Sequence, residues 1–196
     1  PLTAGRRSLP SLPLTIQGVI IVAIESSVKS MFASFQNQYE TAQADNGMGS
    51  LGWWPDAGEH QVFVTSISVE PGKFRQRDGM EIDGFTAQFE YQLLEDPGSP
   101  EEPRKFQGAP FTLPGNPGSI TDDKSKMRCE IETRRLKGHI ETCLNKTTND
   151  MGAALSEIEE ILSDAERSIV VSCKCQYDTR NGRTYRKDFL TKNLSS

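Results

Sequence analysis

Cysteine and histidine are scarce in this 196-residue chain, which has four of the first and two of the second. Cys129, Cys143, Cys173 and Cys175 fall far short of the density of a disulfide-stapled secreted domain. No Cys-x-x-Cys pair occurs, and His60 and His139 are the only histidines, so zinc would need all four thiols or a mixed set. Buried, reduced thiols are expected instead. Long apolar runs are missing too. The longest, Leu14 to Ile24, has 11 residues and includes Thr15, Gln17 and Gly18, against the roughly 20 that a membrane-spanning helix needs. There is no G-x-S-x-G nucleophile signature. Gly115-Asn-Pro-Gly118 lacks a following Lys-Ser/Thr and reads as a turn, not a phosphate loop. Asp122-Asp123 would suit a metal-dependent nuclease only with further carboxylates at fixed spacing, and none follow. No catalytic residue, metal or cofactor is expected.

What is present divides into three parts. Residues 1–30 carry Arg6-Arg7, Pro10, Pro13 and the short apolar run, the outline of a secretory leader or of a non-domain segment. Residues 31–50 open at Met31 with a short amphipathic helix, Phe32, Phe35 and Tyr39 near one face, and continue into a Gly-rich hinge from Asp45. Residues 51–196 form the expected domain. Its first strand runs from His60 to Val69 and breaks at Pro71-Gly72. In the second, Phe85, Ala87, Phe89, Tyr91 and Leu93 alternate with polar residues, the period of a half-buried antiparallel strand. The third, Lys105 to Leu113, is interrupted by Gly108 and Pro110 and should bend or lie at an edge.

The period then becomes helical. Cys129, Thr133, Leu136, Ile140 and Cys143 share one face, while Arg134, Arg135 and Lys137 read as a solvated one. A second helix carries Leu155, Ile158 and Ile161. Ile169 to Tyr177 is a fourth strand, Asn181-Gly182 a type I′ turn signal, and Thr184 to Leu190 a fifth strand of open register. Three strands, helices and a closing hairpin is the order of an OB-fold: a mainly β domain with α insertions, a five-stranded OB-fold-like barrel with helices between strands 3 and 4. In that fold the 1–2 and 4–5 loops flank an oligonucleotide-binding face.

Net charge is −5, which argues against nucleic acid until it is resolved along the chain. Lys73, Arg75 and Arg77 give the first hairpin +3 over residues 73–77. Lys174, Arg180, Arg183, Arg186 and Lys187 against Asp178 give the last hairpin +4 over residues 174–187. The rest of residues 31–196 is −14. Phe74, Tyr177 and Tyr185 lie among these cations, and Trp54 precedes the first strand. Cations that track phosphates beside rings that stack bases are what single-strand binding requires.

Gly52-Trp-Trp-Pro-Asp-Ala-Gly-Glu-His-Gln-Val-Phe-Val, Gln88-Phe-Glu-Tyr-Gln-Leu-Leu, Arg134-Arg-Leu-Lys-Gly and Tyr177-Asp-Thr-Arg-Asn-Gly-Arg-Thr-Tyr resemble segments of bacteriophage single-stranded DNA-binding proteins with an OB-fold. The resemblance spans roughly residues 50–192. It implies sequence-independent coating of single-stranded DNA in phage replication or recombination, without catalysis, in the host cytoplasm, with replication or recombination proteins as further partners. Many such proteins end in an acidic tail; this chain ends Lys187-Asp-Phe-Leu-Thr-Lys-Asn-Leu-Ser-Ser, with no acidic run. Two rival readings remain at this point. One is an OB-fold interaction or adaptor module that uses its acidic remainder on a basic partner. The other is a metal-dependent nuclease.

Overall fold

The second strand organises the molecule. In the computed structural model, which describes residues 26–41, 53–180 and 183–195, with backbone placement alone for Arg180, 183–187 and part of the first helix, β2 spans Glu81–Leu93 and buries all five residues of its alternating set. On one side it pairs antiparallel with β1, Gly58–Arg75. On the other it pairs with two short segments, β3 (Lys105–Gln107) and β4 (Phe111–Pro114). The interruption at Gly108 and Pro110 thus splits the expected third strand into two pieces along one edge. The β2 and β4 backbones approach so closely at Gly84 that an added Cβ would lie 2.2 Å from the Leu113 carbonyl oxygen.

β1 does not stop at Pro71-Gly72. It continues to Arg75, with Pro71 opposite Phe85 and Gly72 opposite Gly84. The reason is topological. β5 (Val170–Arg180) pairs with β1 only from Gly58 to Phe63. Beyond that β1 has β2 alone beside it, and a proline is tolerated on an unpaired edge. β6 (Arg183–Asn193) pairs with β5 and completes the order β3-β2-β1-β5-β6, with β4 beside β3 on β2.

This sheet is open, and a closed five-stranded barrel is not formed. Among the described residues no ladder joins β6 to the β3/β4 edge. Side chains occupy that seam instead. A Cβ on Gly108 would lie 2.7 Å from the Tyr91 ring and 3.2 Å from Asp188 Oδ2 of β6. Helix α2 (Asp123–Leu144) packs on both β4 and β6. From it, buried His139 donates through Nδ1 to the Arg135 carbonyl at 3.1 Å and places Nε2 3.5 Å from Asp188 Oδ2. Asp122 caps α2, accepting from the Ser125 amide at 2.8 Å, which is its structural use here. Helix α3 (Met151–Ser163) follows, capped in the same way by Asp150.

Helix α1 spans Ser26–Thr41, so the expected boundary at residue 30 falls inside it. The Gly-rich hinge and residues 1–25 lie outside the described residues. Val28, Phe32, Phe35 and Tyr39 of α1 belong to the main core. Their contact with α2 changes the reading of its basic side chains. Arg135 and Lys137 are 3% and 5% exposed, not solvated. Lys137 Nζ donates to the Tyr39 and Glu40 carbonyls, both at 3.3 Å, at the C-terminal end of α1, where a cation is favoured. Arg135 pairs with Glu132 at 2.7 Å and lies over the Phe111 ring. All four cysteines are free and buried, and burial pushes the Cys143 thiol up to about 12. No described helix is long and apolar enough to cross a membrane.

Candidate nucleic-acid interface

The two basic hairpins leave β1 at opposite ends. The β1–β2 turn follows Arg75, whereas antiparallel pairing of Gly58 with Cys175 sends the β5–β6 turn past the start of β1. The two differ in charge as well as in place. In the first hairpin the returning strand supplies acids. Lys73 forms an ion pair with Asp83, Arg75 stands in register with Glu81, and Asp78 follows Arg77 in the turn. Three bases meet three acids between residues 73 and 83. Arg77 is exposed, and its backbone amide donates to Ser125 Oγ at 3.1 Å. Phe74 is 0% exposed and covered by the Arg128 guanidinium 4.1 Å from its centroid, so it is a core residue with no face open to a base. The alternation of the strand turns it inward and its basic neighbours outward.

The second hairpin is different. Beyond the Gly58–Cys175 pair, the strand ladders among the described residues join 176–180 to 183–187 and to no other strand. This two-stranded ribbon holds Arg180, Arg183, Arg186 and Lys187 against Asp178 alone, net +3. The register sets Arg180 opposite Arg183, Tyr177 opposite Arg186, Asp178 opposite Tyr185 and Gln176 opposite Lys187. The turn at Asn181-Gly182 and the side chains of Arg180, Arg183, Tyr185, Arg186 and Lys187 lie outside the described residues. Lys174, at the root of the ribbon, is exposed and in register with Glu59.

Tyr177 continues the inward face of Val171, Cys173 and Cys175 but has passed the end of β1. The residue is therefore 42% exposed, while its hydroxyl donates to the Pro55 carbonyl at 2.9 Å. Trp54, expected as a stacking ring, does not face outward. Trp54 is 5% exposed and packs edge-on against Phe106 at 5.2 Å, so it is a core residue; Trp53 is 37% exposed. A Trp-Trp doublet before a strand tells that one ring faces in, but its spacing carries no signal for which one.

Trp53 lies at a cleft of about 610 Å³ beside the start of β1. One face of its indole carries the Arg104 guanidinium, 4.0 Å from the ring centroid. Arg104 is itself held by Asp96, through Nε at 2.6 Å and Nη2 at 2.7 Å. The Arg104 and Gly98 amides also donate to this carboxylate. Together these donors, the Arg104 side chain first, hold Asp96 well below the usual carboxylate range. A depressed carboxylate stabilises the fold above its unfolded value of about 3.9 and loses that contribution as pH falls toward the folded value. The clasp on Trp53 should therefore hold from neutrality down to about pH 4 and open only in stronger acid. Asp96→Asn should release Arg104 and raise acrylamide quenching of tryptophan emission at pH 7. The wild type should show that rise only below about pH 4.

Among the described residues no three His, Cys, Asp or Glu side chains converge as a metal site. No known protein family, curated protein or solved structure matches this chain.

Proposed function

We propose that the protein binds single-stranded DNA through the β5–β6 ribbon, with little dependence on sequence and without catalysis. The observation that carries this reading is the ribbon itself. A net-positive, two-stranded arm projects beyond the sheet of an acidic chain, with the exposed ring of Tyr177 at its root. The cations of the ribbon track phosphates, and Tyr177 offers a face on which a base stacks.

The architecture is read in the same proposal as an OB-like barrel opened at one seam. The strand order supports this: with β3 and β4 counted as one strand, the sheet runs third, second, first, fourth, fifth, and α2 lies across the gap between the third and fifth. The setting in bacteriophage DNA replication or recombination comes with the sequence resemblance and belongs to this proposal on that ground.

Salt dependence tests it. Four phosphate contacts on a single strand give a slope of log K against log salt of about −3. Affinity for a fluorescent, unstructured oligonucleotide should fall roughly fiftyfold between 50 and 200 mM salt. Absence of binding at the lower concentration would end the proposal.

A further inference from the structure

Among the described residues only two large aromatic rings are substantially exposed, Trp53 and Tyr177. Pro55 links the two. The Tyr177 hydroxyl is held by the carbonyl of Pro55, two residues from Trp53, and Pro55 lines the 610 Å³ cleft together with Trp53, Asp56, Glu59, Glu95 and Arg104. That volume lies within the range of small-molecule clefts, about 300–1,000 Å³, ample for a flat heterocycle.

The indole is fixed before any ligand arrives. Arg104 covers one face, anchored by the buried Asp96, and Phe106 meets the indole edge-on at 6.4 Å. The remaining lining is unusual for a nucleic-acid surface. Asp56, Glu59 and Glu95 are exposed, and none of them is in an ion pair with a described cation. Ionised carboxylates accept hydrogen bonds and donate none. They repel phosphate and oppose the carbonyl oxygens of a base, and they pair well with an exocyclic amino group.

We propose that this cleft seats one unstacked nucleobase against Trp53 and selects a base with an exocyclic amino group, with cytosine, adenine and guanine preferred over thymine. The inference rests on the single-strand reading above and sharpens it. The phosphate backbone stays on the basic ribbon, and a base turns past Tyr177 into the acidic cleft. Coating is then indifferent to sequence at most positions and selective at one.

The test is a pair of titrations at equal length and salt, one with a cytidine and one with a thymidine deoxyhomopolymer, followed by anisotropy and by tryptophan emission. The cytidine strand should bind about tenfold more tightly and quench Trp53. In the double variant Glu59→Gln, Glu95→Gln the preference should shrink to under about twofold, mainly through tighter binding of the thymidine strand, because an amide also donates. Its melting transition reports that it is folded. If both homopolymers bind with the same salt dependence and equal affinity, or the thymidine strand binds more tightly, the cleft assignment is overturned and the ribbon reading stands. If neither binds at 50 mM salt, both are overturned.

Discussion

Phe85→Ala should cost about 3–5 kcal/mol of stability, the range for emptying a fully buried aromatic site. At roughly 2–4 °C per kcal/mol for a chain of this size, Tm falls by about 6–20 °C. The effect should be large because Phe85 serves two elements at once. It lies on the inward face of β2, is 0% exposed, and receives Phe32 and Phe35 of α1 edge-on at 5.3 and 5.8 Å. Aromatic pairs in this geometry add about 0.5–1.5 kcal/mol beyond the area they bury. A double-mutant cycle with Phe35→Ala should therefore show coupling of that order. Hydrogen exchange in α1 should accelerate in Phe85→Ala together with exchange in β2. If α1 were an appendage outside the domain, Phe35→Ala would leave the melting transition unmoved and the coupling would vanish.

The same residues show how far the sequence could be read. β2 was legible from Phe85 to Leu93, because there every inward position is apolar and every outward one polar, and the structure buries that inward set; its first four residues, Glu81 to Gly84, break the alternation and were not legible. Helix α1 was legible as a helix from Phe32, Phe35 and Tyr39 but not as part of the core. Its partners lie on β2 and α2, far along the chain, and the Gly-rich stretch after it reads as a hinge. The solvated face assigned to Arg134, Arg135 and Lys137 failed at the last two for a related reason, while Arg134 stays partly exposed beside Glu130. A helix wheel tells what is charged, not that the charge at Lys137 answers the carbonyls at the end of another helix.

β6 resisted reading because a carboxylate occupies an inward position. The register sets Asp188 opposite Cys175 and Leu190 opposite Cys173, and all four are buried. An alternating pattern with Asp on its apolar face has no clear phase. The structure gives the reason: Asp188 faces His139 across the seam that a barrel would close by hydrogen bonds. The extension of β1 through Pro71 depended in the same way on a fact outside the local sequence, namely where β5 stops pairing.

Local charge was the most deceptive signal. Residues 73–77 read as +3 until the return strand is paired with them; residues 176–187 keep their excess because Asp178 offsets only Arg180 on β5, and no acid opposes Arg183, Arg186 and Lys187 on β6. This difference yields the sharper functional prediction. Reversing Arg180, Arg183, Arg186 and Lys187 to Glu should lower affinity for single-stranded DNA at 50 mM salt by more than about three orders of magnitude. Each phosphate contact contributes close to one decade at that concentration, and four are removed. The slope of log K against log salt should move from about −3 toward zero. Reversing Lys73, Arg75 and Arg77 should cost less than about tenfold, since Asp83, Glu81 and Asp78 already oppose them. Melting transitions of both variants control for folding. Comparable losses from the two sets would mean that DNA runs the length of β1 and touches both ends. A loss confined to the first set would transfer the interface to the β1–β2 turn, with the ribbon left as a charged edge that keeps other strands away.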